Sequence, residues 1–230
     1  MRGALGSAVI LAALCVARPA IAQGGNVRFA VLPFENTGSY GQDKEVFEAL
    51  ELGLAAMIAR AIDGHPGADV VQRAQLDEVM RKLDLGPAQR VDAASAAQLG
   101  KGTGARYTIT GSFADFYGKF RINARLVNAE SGEIVKVVSN DDPKLQDRAQ
   151  LAAIAQTVGQ RITSAAGLAP YPAGSAPPAI PTDAITAYSR GLLHESRGER
   201  AKASQFYQSA LSAFPGFEEA AAGLKRVRGE

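Results

Sequence analysis

The chain has 230 residues, 25 basic and 23 acidic, for a formal net charge of +2, with 47% apolar residues, one cysteine, two histidines and no tryptophan. Two of the basic residues, Arg2 and Arg18, lie at the N-terminal end, so the remainder is formally neutral and lacks the basic footprint of a nucleic-acid binder. The single cysteine excludes an internal disulfide, and about two hundred residues can bury a core without one.

Met1-Arg2, an apolar run over 4–16 and Ala20-Ile21-Ala22 before Gln23 have the charged start, short greasy centre and small-residue exit of a secretory signal over 1–22. The expectation is export to the periplasm, with outer-membrane association left open. The run is shorter than the roughly 20 residues of a spanning helix, and no later run is long enough either. Cys15 is preceded by bulky Leu14. Lipoprotein processing needs a small residue there, so simple cleavage after Ala22 is favoured over a lipid anchor.

Residues 27–32 form a short apolar run stopped by Pro33, which predicts a strand buried on both faces. An amphipathic helix over 45–62 follows, then a short strand over 68–71 and a helix over 74–83. A helix over 92–99 is expected to end at the glycines 100, 102 and 104. Residues 106–116, 120–128 and 133–140 alternate as three strands of an antiparallel meander, turning at Gly118-Lys119 and at Glu130-Ser131-Gly132. A closing helix is predicted over 145–166. The expected fold class is α/β (α+β), a mixed sheet with helices packed over it, within a domain over 23–166.

The stretch 167–181 is rich in Pro, Ala, Gly and Ser and reads as a linker. A small all-α region follows over 182–230, with helices over 182–195 and 200–214. Gly191, Ala203, Tyr207, Ala210 and Pro215 fall in register with a single tetratricopeptide-type repeat, although Ala187 stands where a large aromatic is usual. One such repeat cannot bury its apolar faces alone, so Leu192, Leu193, Phe206, Leu211 and Phe217 are expected to pack against the α/β domain, a second copy or another protein.

Catalytic chemistry is sparse. Lys101-Gly102-Thr103 superficially resembles a phosphate loop, but its glycines follow a helix and precede a strand, the reverse of what a phosphate cradle needs. His65 and His194 have no companion at zinc-ligand spacing, and Asp141, Asp142 and Asp147 read as a solvated turn rather than a calcium loop. Neither catalytic residues, a metal nor a cofactor is expected. Glu35, at the C-terminal edge of a strand, is the best-placed acid but has no visible chemical partner.

The motifs Leu32-Pro33-Phe34-Glu35-Asn36, Leu99-Gly100 with Gly104-Ala105, Gly111-Ser112, Leu126-Val127 and Ser131-Gly132-Glu133 resemble, in order and spacing over about 27–165, those of the CsgG family of curli-secretion and envelope proteins. The resemblance implies a periplasmic α/β domain of the kind shared with TolB N-terminal domains. The pore-forming hairpins of the family's secretion members have no room between Ser112 and Arg121, where a membrane-crossing pair would need about 9–11 residues per strand. The expectation is a non-enzymatic adaptor of envelope assembly or secretion that acts through contacts with envelope or secreted proteins or with its own copies, and touches the membrane at most peripherally. Tyr188, Leu192 and Glu195 are the expected partner-binding residues. Two alternatives stand beside it: a ligand-binding or enzymatic domain using the strand ends near Glu35, Asn36, Gly111 and Ser112, and a subunit of an outer-membrane pore.

Overall fold

A computed structural model describes residues 25–39, 43–85, 91–172, 174 and 178–230. The expected signal over 1–22 and Cys15 lie outside the described residues. The strands are β1 (Val27–Asn36), β2 (Ala68–Val70), β3 (Tyr107–Phe116), β4 (Lys119–Asn128) and β5 (Ile134–Ser139). The helices are α1 (Lys44–Asp63), α2 (Arg73–Lys82), α3 (Ala93–Thr103), α4 (Leu151–Ala165), α5 (Thr182–Ser196), α6 (Arg200–Ala213) and α7 (Glu218–Arg228). One sheet of order β2-β1-β3-β4-β5 contains them all, parallel across β2-β1-β3 and antiparallel across β3-β4-β5. The mixed α/β sheet with helices packed over it is the fold class that the sequence predicts.

Pro33 does not end β1, contrary to expectation. A proline cannot donate to the ladder, and the strand absorbs it in a bulge: Val31 pairs with Ile109 and Phe34 with Gly111, three residues against two. The slip changes the side-chain parity, so Phe29, Val31 and Phe34 all enter one core while Ala30 and Leu32 enter another on the opposite face. That second core is closed by Leu76 and Met80 of α2 and Ala96 and Leu99 of α3.

α3 also runs further than its glycines suggest. It passes through Gly100 and Gly102 and stops at Gly104, which takes the left-handed conformation at φ 70°. A Cβ on Gly100 would lie 2.4 Å from that of Ala129, so the close approach of helix to sheet requires its absence. The closing helix starts later than predicted, at Leu151. Pro143 and the Asp142 and Asp147 side chains, which accept from the Lys144 and Ala149 amides at 2.9 and 2.8 Å, hold the preceding chain in two 3₁₀ turns, Pro143–Leu145 and Arg148–Gln150.

α1 is apolar nearly all the way round, with Phe47, Leu50, Leu52, Leu54, Met57, Ile58 and Ile62 buried, because it has covers on two sides. The sheet and α4 take one side and α5 the other. At the crossing of α1 and α5 a Cβ on Gly53 would fall 1.8 Å from Ser189 Oγ. Ion pairs Arg190–Glu45, Arg197–Glu48 and Arg60–Glu219 border the seam. The unit over 182–230 therefore buries its apolar surface against the α/β core, the first of the three expected options. Within the stretch 167–181, Tyr171 donates to Ala61 O at 2.7 Å, His65 meets Ala169 O at 2.9 Å, and Ile180 is buried.

Candidate functional site

α5 is held between α1 on one side and α6 on the other, which decides where the expected partner residues sit. Tyr188 and Leu192 are only 5% and 1% exposed. Tyr188 packs on the rings of Tyr207 and Phe217, at centroid distances of 5.9 and 4.8 Å. Glu195, half-buried, accepts from Arg226 Nε and Nη2 at 2.9 and 3.0 Å and from the Tyr207 hydroxyl. Burial alone would raise the Glu195 carboxyl, but the hydrogen bonds from Arg226 and Tyr207 outweigh it and hold it below the ordinary glutamate range. A partner could reach Leu192 directly only if α5 lifted from its neighbours, and Tyr188 only through the cleft that it lines.

The second set of expected residues sits along the sheet. Glu35 pairs in register with Ser112, and Ser112 with Asn123. Asn36 closes β1 by accepting the Ser39 amide at 3.0 Å, and Gly111 leaves room for the Phe34 ring, which a Cβ would meet at 2.4 Å. Asn36 and Gly111 thus have structural duties. His65 is tied to the chain around Ala169, and His194 lies between Glu45 and Glu199 with its ring stacked on Phe206. Among the described residues, no three His, Cys, Asp or Glu side chains converge as a metal site.

A cleft of about 300 Å³ opens elsewhere, where the middle of β1 and the end of β2 meet α1, the start of α2 and one face of α7. Pro33, Leu52, Ala55, Ala56, Val71 and Leu76 give it apolar walls, and Arg60, Asp63, Arg73, Glu219 and Arg226 give it charge. Tyr188 lines it too, whereas Glu35 and Ser112 do not. Burial pushes the Tyr188 hydroxyl up to about 12, so it remains a neutral donor. Burial also raises the Asp63 carboxyl, with nearby Asp69 adding to the effect. The strand ends singled out in the sequence, Glu35, Asn36, Gly111 and Ser112, do not line this cleft, which exists because α7 folds back over α1.

The remaining feature is the free edge of β5. Among the described residues no strand lies beyond it, and Ile134, Val135 and Val137 are 47%, 44% and 54% exposed. Val135 is the extra residue of a bulge, since Leu126 pairs with Lys136 and Val127 with Ile134. A groove of about 790 Å³ runs between this edge and α4, bordered by Thr157, Gln160 and Arg161. The Arg161 guanidinium donates to Ser139 O at the end of the strand. At the other end of the sheet, β3 and β4 are joined by Tyr117 and Gly118 alone, both at positive φ (53° and 85°). No helix among the described residues is long and apolar enough to cross a membrane.

Residues 15–121 match the model of a family described as curli production assembly/transport component CsgG. The match takes in the Leu32–Asn36, Leu99–Ala105 and Gly111-Ser112 motifs and stops before the β4–β5 turn. No curated protein sequence matches the chain significantly. Among solved structures, the chain is similar to the C-terminal domain of LpoB from Salmonella enterica, with 19% identity over 50% of this chain and 81% of that one and a TM-score of 0.37. It is similar also to E. coli LpoB (18% identity, 50% of this chain and 55% of that one, TM-score 0.40) and to TolB from Acinetobacter baumannii (13% identity, 62% of this chain and 27% of that one, TM-score 0.36).

Proposed function

We propose that the protein is a non-enzymatic, periplasmic adaptor of the cell envelope, acting through protein contacts in envelope biogenesis or secretion. The observation that carries this reading is the β5 edge. Natural sheets guard their edges with charge, proline or a covering element, because unpaired backbone groups template the addition of another strand. β5 carries the charge of Lys136 and the Val135 bulge, yet it presents three exposed aliphatic side chains beside a groove of about 790 Å³ against α4. Strand addition takes affinity from main-chain hydrogen bonds and specificity from alternate side chains, which this edge supplies. The family match over 15–121 supports the envelope setting.

In this reading α5 and α6 are a tetratricopeptide-type hairpin whose binding capacity is spent on α1. Gly191 and Ala203 bring the two helices together around Tyr207, since a Cβ on Gly191 would lie 2.5 Å from that ring. The test is affinity capture from envelope extracts with the wild-type chain, with V135K/V137K, and with a chain ending at Pro170. Both valines are exposed, so the double variant is expected to melt within a few degrees of wild type and to lose the captured partner. Retention by V135K/V137K together with loss on truncation would move the recognition surface to the C-terminal helices and overturn the edge assignment.

A further inference from the structure

The β5 edge has two unlike faces. Val138 enters the core beneath α4, and Lys136, two residues before it and opposite Leu126 of the same core, points to the α4 side. Val137, opposite Arg125, and Ile134, opposite Val127 of the second core, face the other way. One face of the edge is therefore cationic and the other aliphatic.

α4 strengthens the cationic face. Arg161 reaches across to Ser139 O, which takes only part of the guanidinium's donor capacity, and neither Arg161 nor Lys136 makes an ion pair among the described residues. Gln160 and Ser164 add polar groups to the wall, and Asp141, the one carboxylate that borders the groove, comes after the end of β5. The charge balance of the groove is positive, two cations against one carboxylate. A second copy of β5, paired edge to edge about a two-fold axis, would bring its own Lys136 to this same face, where like charges repel.

We propose that the β5 edge accepts an extended segment in which acidic and aliphatic residues alternate, its carboxylates beside Lys136 and Arg161 and its aliphatic side chains on the other face beside Ile134 and Val137. An added strand has a side-chain period of two, so simple alternation puts every acid on the cationic face. This inference rests on β5 as the recognition surface and names the chemistry of the strand that it takes.

The test is amide NMR of the full chain titrated with four peptides, each acetylated and amidated: Val-Glu-Val-Glu-Val-Glu-Val, the same sequence with Gln or with Lys in place of Glu, and Val-Val-Glu-Glu-Glu-Val-Val, which keeps the composition and breaks the alternation. The alternating Glu peptide is expected to shift the resonances of 134–139 and to bind about tenfold tighter than the Lys peptide, because exposed pairs contribute little singly but two attractions become two repulsions. The Gln peptide should fall between them, and the shuffled peptide should bind more weakly than the alternating Glu peptide. Lys136→Glu, at an exposed position and with the Arg161 bond to Ser139 left in place, is expected to melt within a few degrees of wild type and to remove the preference; K136E/R161E is expected to reverse it. Equal binding of the Glu and Lys peptides at 134–139, or tighter binding of the Lys or the shuffled peptide, overturns the proposal and leaves the edge reading standing. If no peptide shifts 134–139 the proposal falls, and the edge reading falls with it only if V135K/V137K also retains its captured partner. Shifts of the same resonances on concentrating the protein alone assign the edge to a second copy and overturn the proposal.

Discussion

Glu195 joins two helices through one carboxylate. Arg226 of α7 grips it with two hydrogen bonds and Tyr207 of α6 with a third, so its charge replaces water with three donors. Replacing it by glutamine keeps the shape and removes the charge, and Glu195→Gln is expected to cost about 1–3 kcal/mol, read from the urea midpoint. Acid should act in the same way. The folded carboxyl titrates below its ordinary value of 4.5, so its contribution is fully present above that value and is lost as pH falls through the lower, folded one. Wild type should therefore lose more stability than Glu195→Gln on acidification below about pH 4.5. Equal acid sensitivity of the two proteins would contradict this account of the cluster.

Helix α1 is the element on which the rest depends, and Gly53 is its tightest point. With Ser189 Oγ where a Cβ would go, Gly53→Ala is expected to push α5 away and cost about 1–3 kcal/mol. Ser189→Gly removes both offending atoms and leaves Ser189 Cα as the nearest neighbour at 3.3 Å. The double variant should recover part of the loss, giving a coupling energy of at least about 0.5 kcal/mol in a thermal or urea cycle. Additive losses would mean that the two residues do not share the contact. The periodicity of α1 is readable in the sequence, but the second buried side is not. Leu52 and Ala55 enter a pattern only when α5 and α7, over a hundred residues away, are already in place. The same distance hides the duty of Tyr188, which looks like an exposed repeat residue until α5 is seen between its two neighbours. Pro33 misleads for a different reason: a local rule that a proline ends a strand is overridden by pairing with β3 before and after it, at Val31 and Phe34, beyond the reach of β2, and one extra residue is absorbed in a bulge.

At the scale of the whole molecule, the exposed large apolar side chains among the described residues lie in two places, Ile134, Val135 and Val137 along β5 and Phe116 and Tyr117 at the β3–β4 turn. The three helices after residue 181 are spent on the core, the α2–α3 side is closed, and β3–β4 ends in a two-residue turn. Of the two, β5 joins exposed apolar side chains to a sheet edge without a neighbouring strand among the described residues, at the end of the sheet opposite β2. The alternation over 133–140 shows a strand in the sequence, yet its place at the edge follows only from the sheet order. The most direct test of the central claim is site-specific photo-crosslinking in intact cells, with the probe at position 137 and, as control, at exposed Ser212 on α6. The account predicts a discrete protein adduct from 137 and none from 212; adducts from 212 with none from 137 would contradict it.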